Sequence, residues 1–332
     1  MCLVDEQNIE HIKRAELLRP LGKLEPYEST LNRSVRSGLV EIVPMPFVTE
    51  TIKVFLILPI HSDEELAALR FLNHVNRTVF GIETRERFEL LVTHVVTSKQ
   101  EFAKRHDWFK TIRRHVDAIH LTRVNLSITF HTILLPSPSI PLYAQTSYIL
   151  DFFQTKVRPN ALIFLTNPHA DLDAEFLQRC RLNVILKSQI FFPVAFYQYY
   201  PNIIERTHPI VDNVTIDIHK SHGWFNAYVF EHVGLYLSDY VHLKNLIFHV
   251  RNALASTNLY DLFVEFSELH VLRAPDPLLR VHYRPVNCDQ LNQSSAIEYQ
   301  RCLMQQEKGL ASRSQLAMVI VEHEHGEDEG GK

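Results

Sequence analysis

The chain reads as an α/β domain built on a largely parallel sheet with helices on both faces. Two observations predict this. Short, continuous apolar runs bounded by turn signals, such as Ile52 to Leu58 and Ala161 to Leu165, read as fully buried strands, and amphipathic stretches of helical period lie between such runs. The material for a sizeable core is present: 46% of the 332 residues are hydrophobic and 10% are aromatic.

Residues 1 to about 50 are polar and irregular, with a helical pattern only around Ile9 to Leu18, and Val43-Pro44-Met45-Pro46 forms a rigid connector. Ile52 to Leu58 is the first strand, closed by Pro59. Ser62 and Glu65 have capping-box spacing for a helix whose inner stripe is Leu66, Leu69, Leu72, Val75 and Val79. Phe88 to Val96 is the next strand. Ser98 and Glu101 repeat the capping box, before a helix with Phe102, Phe109, Ile112 and Val116 inside. Its outer face carries Lys104, Arg105, Lys110, Arg113 and Arg114, read as a solvated face or as a seat for an acidic glycan or diphosphate. Strands follow at Ser127 to Leu134, Ala161 to Leu165 and Ile190 to Phe196. Helices are expected at about Leu142 to Thr155, from Asp173 to Cys180, near His242 to Leu254 and at Ile297 to Gln306. The division expected is an N-terminal segment over 1–50, one domain over 51–325 and an acidic, disordered tail over 326–332.

Several function classes drop out. A net charge of −4 gives no electrostatic footprint for nucleic acid. None of the nine glycines falls in GxGxxG or GxxxxGK[ST] spacing, and no GxSxG, HExxH or CxxC occurs. No apolar run approaches the roughly 18 residues of a spanning helix, and no signal-peptide pattern follows Met1. Sequons at Asn32, Asn76, Asn125, Asn213 and Asn292 point to a glycosylated, lumenal setting. Cys288 and Cys302 flank a short polar loop that a disulfide could close; two free thiols in an intracellular chain is the other reading.

The stretch from Asn160 to Pro193 carries the chemical question. Its strand stops at Thr166-Asn167-Pro168-His169, and Asp171-Leu172-Asp173 follows before the helix. Asp171 and Asp173 read either as a metal-binding carboxylate pair or as acids at a helix N-terminus, with Asp173 the cap. His169 reads as a metal ligand or as a turn residue, and Trp224 as a sugar-stacking or a core aromatic.

Several strings together resemble the chondroitin synthase and chondroitin polymerising factor family. They are Val43-Pro44-Met45-Pro46-Phe47-Val48-Thr49-Glu50, Glu175-Phe176-Leu177-Gln178-Arg179-Cys180, Phe191-Phe192-Pro193-Val194, Leu269-His270-Val271-Leu272-Arg273-Ala274 and Leu310-Ala311-Ser312-Arg313-Ser314-Gln315-Leu316-Ala317-Met318. The resemblance covers about Val40 to Glu324. It implies a GT-A-like glycosyltransferase fold, a UDP-sugar donor, Mn²⁺ as family cofactor and a Golgi lumenal setting. Full-length members carry a type II membrane anchor and an upstream glycosyltransferase-like domain, so the chain resembles a C-terminal half. Aligned on Glu175-Phe176-Leu177, Asn167 and His169 stand where active synthases carry two metal-binding aspartates. Asp261 alone remains where a catalytic acidic pair is expected, and the histidine of the metal shell is replaced within Val281-His282-Tyr283-Arg284. Trp224 matches an acceptor-side aromatic segment. Two readings follow. One is a catalytically degenerate hexosyltransferase-family protein that needs no cofactor and partners an active chondroitin synthase on a chondroitin oligosaccharide. The other is a working transferase that adds N-acetylgalactosamine or glucuronic acid, with metal held by Asp171 and Asp173 or with none.

Overall fold

A computed structural model describes residues 52–79, 88–122, 128–137, 140–207, 216–247, 257–289, 291 and 295–329, together with short stretches at 2–4 and 10–12. The chain divides into two units, Met1–Phe47 and Val48–Lys332. In the first, β1 (Cys2–Val4) pairs antiparallel with β2 (Glu10–Ile12), where the sequence had suggested a helix.

The second unit is a mixed nine-stranded sheet flanked by helices, as expected for a GT-A-like α/β fold. In chain order its first elements are β3 (Val54–Ile60), α1 (Glu65–Thr78), β4 (Phe88–Val96), α2 (Lys99–Thr122), β5 (Ile128–Leu134) and α3 (Leu142–Phe153). Then come β6 (Leu162–Leu165), β7 (Ala170–Asp171), α4 (Ala174–Asn183), β8 (Gln189–Gln198), α5 (Pro201–Thr207), β9 (Gly223–Phe225) and β10 (Val233–Tyr236). The last are α6 (Leu237–Leu246), α7 (Leu259–Phe266), β11 (His270–Val281), α8 (Ala296–Lys308) and α9 (Arg313–Glu329). The strand order is β5-β4-β3-β6-β10-β8-β11-β7, with β9 on β8. The long pairings (β3 with β4, β4 with β5, β8 with β11) are parallel, and β10, β7 and β9 join antiparallel.

Each face of the sheet buries its own apolar layer. One layer combines Val54, Leu56, Leu58, Phe164 and Phe191 with Phe71 and Val75 of α1, Ile112 and Val116 of α2, and Phe176 and Leu177 of α4. The other sets Ile57, Ile163 and Phe192 against Leu150 and Phe153 of α3, Tyr240 and Leu243 of α6, and Leu262 and Phe263 of α7. Alternate residues of one strand thus feed opposite layers, the consequence of a period of two. Gly234 of β10 lets α4 close in: a Cβ there would stand 2.6 Å from Cys180 Sγ and 2.9 Å from Val184 Cγ2.

Several sequence expectations are corrected. Pro59 does not close the first strand; it pairs with Thr93 inside β3. The missing N–H is tolerated because β6 accompanies β3 only from Val54 to Ile57. Ser62 does not cap α1: its hydroxyl meets His94 Nε2 at 3.3 Å, and Glu64 occupies the N-cap position without a side-chain cap bond. The buried stripe of α1 is Ala68, Phe71, Leu72 and Val75, which leaves Leu66 83% exposed. The Ser98 box forms, with Glu101 N donating to Ser98 Oγ at 3.1 Å and Ser98 N to Glu101 Oε2 at 3.2 Å. The helix expected near His242 starts earlier, at Leu237. Helix α9 runs to Glu329, and residues 330–332 of the expected tail lie outside the described residues. Cys288 and Cys302 are joined by a disulfide with Cα atoms 5.8 Å apart. Among the described residues no helix is long and apolar enough to cross a membrane.

Candidate functional site

Strand β6 is apolar and buried from Leu162 to Leu165, and the chain then turns polar while still inside the sheet. Thr166 N donates to Ile57 O at 3.2 Å, so β3 holds the strand end in place. Thr166 Oγ1 lies 2.9 Å from His232 Nδ1. At Asn167 the side chain folds back: its Oδ1 accepts from His169 N at 3.0 Å, an Asx-type turn around Pro168. Its Nδ2 donates to Glu231 Oε2 at 2.6 Å. His169 is half-buried, with Nε2 3.4 Å from Glu64 Oε1.

A cation stands beside this turn. Arg284, three residues past β11, pairs with Glu231 through Nη2 and lies 4.0 Å from Glu64 through Nη1. Burial raises the Glu231 carboxyl, but Arg284, with the Asn167 amide, holds it below the usual carboxylate value. Glu64 is lowered in the same way, with burial opposed by His169, the His61 N–H and Arg284. Burial acts to lower Arg284, yet Glu231, Tyr197 and Glu64 raise it, so the guanidinium stays charged. The desolvated imidazole of His232 is pushed down to about 4 and is therefore neutral.

Asp171 and Asp173 are engaged separately. Asp171, 5% exposed, receives His282 Nε2 at 2.6 Å and lies 3.9 Å from His74 Nδ1. The Arg70 guanidinium senses the same carboxylate. Asp173 caps α4, its Oδ1 accepting from Phe176 N at 2.9 Å. Asp171 ends β7 while Asp173 is the N-cap of α4, so the two carboxylates meet different partners, and no group of three metal-ligating side chains occurs among the described residues. The donors at this strand end do not fit a divalent cation. Asn167 and His169 offer an amide and an imidazole rather than carboxylates, and the nearby carboxylates already hold protein partners.

Asp261 lies in the first turn of α7, gripped by Arg301 at 2.6 and 2.9 Å and by the Asn258 amide at 2.7 Å. Arg301 also covers the Phe230 ring, which stacks on Tyr260 at 4.2 Å. Asp261 therefore belongs to an ion-paired cap rather than standing free. Trp224 is half-buried, packed against the first core layer, with Lys308 Nζ 5.6 Å from its ring. With Tyr197, Asn226, Tyr283, Arg284 and Gln305 it lines a cavity of about 150 Å³. Tyr197 Oη, Trp224 Nε1 and Asn226 Nδ2 are buried without a hydrogen-bond partner among the described residues. On the α2 outer face Lys110, Arg113 and Arg114 are exposed; the side chains of Lys104 and Arg105 lie outside the described residues. Asn76 is half-buried on α1, and the hydroxyl of its sequon, on Thr78, donates to His74 O and Leu172 O at 3.0 Å. Asn32, Asn125, Asn213 and Asn292 lie outside the described residues.

Sequence reasoning did not single out Glu64, Glu231 or Arg284. The signal available was an ionisable pair, Glu231-His232, directly abutting the apolar strand Val233–Tyr236, and it named no partner.

The sheet and the polar break at the end of its central strand define an α/β protein with its candidate site at a strand's carboxyl end. A family model described as chondroitin N-acetylgalactosaminyltransferase matches residues 4–316. The chain belongs to that family. Mouse chondroitin sulfate synthase 2 is 29% identical over 318 residues, 95% of this chain and 37% of the relative. Human chondroitin sulfate glucuronyltransferase is 27% identical over 330 residues, 94% of this chain and 39% of the relative. The chain thus spans somewhat over a third of the length of these relatives. Among solved structures, the mannosyltransferase PcManGT from Pyrobaculum calidifontis in complex with GDP-Man and Mn2+ aligns with a TM-score of 0.39 and 11% identity, covering 78% of this chain and 64% of that one.

Proposed function

We propose that this chain serves chondroitin chain polymerisation as a catalytically degenerate partner of an active chondroitin synthase, in the Golgi lumen. The observation that carries the reading is the strand end at Asn167 and His169. A sugar diphosphate needs its charge neutralised, and oxygen-ligated divalent cations do this through carboxylates. Here the equivalent positions offer an amide and an imidazole, both already bonded to protein groups. The frame around them is intact, with two packed layers and a disulfide near the C-terminal helices. A preserved core without a metal-binding centre favours a binding role over turnover. The partner would be a chondroitin synthase engaged on a chondroitin oligosaccharide. The family's UDP-sugar donor and Mn²⁺ are not required of this chain.

Co-expression with an active synthase should raise polymer yield over the synthase alone. Asp171→Asn with Asp173→Asn removes both charges while leaving Asn able to cap α4, and it should keep that effect. If the polymer gain disappeared in this variant while its circular dichroism stayed that of the parent, the chain would be a working transferase with metal on these aspartates.

A further inference from the structure

Each carboxylate oxygen around the strand end is taken. Glu231 gives Oε1 to Arg284 and Oε2 to the Asn167 amide. Glu64 gives Oε1 to His169 and Oε2 to the His61 N–H at 3.0 Å. These groups come from widely separated parts of the chain: before α1, after β6, before β10 and after β11. The two acids share one permanent cation, Arg284, whose side chain is only 17% exposed. A guanidinium does not deprotonate and offers five donors in a fixed fork, so it can satisfy two carboxylates at once.

We infer that Arg284 is the resident cation of this site: a side chain holds the position that a divalent ion would otherwise take between Glu64 and Glu231. The inference rests on reading the strand end as a metal site without its carboxylates, and it goes one step further. The loss of metal is then an exchange of a divalent ion for a single, covalently held positive charge. The space between the acids is closed to manganese because the guanidinium already occupies it and offsets one of the two negative charges, and chelators have nothing to remove. The two acids lie in different segments, and without a cation between them they would repel.

The test is manganese binding, read as loss of the free-ion electron paramagnetic resonance signal and as a thermal shift with MnCl₂ alone. The natural chain and Arg284→Lys, which keeps a cation in place, should take up no stoichiometric manganese and show no shift. Arg284→Gln leaves Glu64 and Glu231 facing each other, and should bind manganese at least tenfold more tightly and recover with it part of its lost melting temperature. Glu231→Gln with Arg284→Gln should lose that binding again, and it provides a folded control if the single change is too unstable. Two results would overturn the inference: manganese binding by the natural chain as tight as by Arg284→Gln, or no gain in a folded Arg284→Gln. Polymer yield in co-expression is read separately, so a natural chain that binds manganese yet still raises yield would remove this inference and leave the partner role standing.

Discussion

Replacing Arg284 by Gln removes the charge from a buried cluster while keeping most of the side-chain volume. The Glu231 side chain is 23% exposed and that of Arg284 17%, so the carboxylate left behind is largely cut off from water. Breaking such a pair from one side costs about 3–5 kcal/mol when burial is complete; with a fifth of each side chain reaching solvent, about 3 kcal/mol is expected. At roughly 2 °C per kcal/mol for a domain this large, the melting temperature should fall by about 6 °C. The pH dependence gives a second, independent check. In the natural chain the Glu231 carboxyl sits below its ordinary value despite burial, because Arg284 and the Asn167 amide favour the charged form. A depressed acid contributes stability above its unfolded pKa, near 4.5, and that contribution is lost as pH falls through the folded value. Without Arg284, desolvation dominates and the carboxyl moves upward, so the variant gains as protonation relieves the buried charge. The gap between the two proteins should therefore be widest at neutral pH and narrow steadily toward pH 4.5. Urea denaturation at several pH values measures it, provided the slope m is unchanged. A gap under about 0.5 kcal/mol at pH 7, or one that widens on acidification, would refute the account of the cluster.

Three further outcomes follow from particular contacts. Gly234→Ala places a methyl 2.6 Å from Cys180 Sγ and should destabilise by about 1–3 kcal/mol in urea titration, since α4 must move off β10. Cys302→Ala opens the loop closed by the Cys288–Cys302 bond, with its sequence separation of 14, and should lower stability by about 3 kcal/mol; equal unfolding midpoints with and without reductant would contradict it. His232, pushed to about 4 by burial, should show unchanged imidazole NMR shifts from pH 8 to 5. Because its folded pKa lies below the unfolded 6.5, keeping it neutral removes stability progressively as pH falls from about 6.5 to about 4.

The amino-acid sequence by itself determined most of the strands and the layer order of the α/β unit. Runs such as Val54 to Leu58 and Leu162 to Leu165 are short and apolar without interruption, which suits a strand buried on both faces. Local chemistry was equally legible at Ser98 with Glu101 and at Asp173, where a cap forms with an N–H three residues away and needs no distant partner. Tertiary structure decided the rest. Whether Ser62 capped α1 depended on His94 of β4, and whether Pro59 ended its strand depended on how far β6 runs beside it. The state of the candidate site was likewise out of reach. Asn167 and Glu231 are 64 residues apart, Glu231 and Arg284 are 53 apart, and no periodicity links them. A charge next to an apolar strand has the same one-letter signature whether it is solvated or paired. Only the sheet, by ordering β3, β6, β10, β8 and β11 across its middle, makes those separate charges one ion-paired cluster.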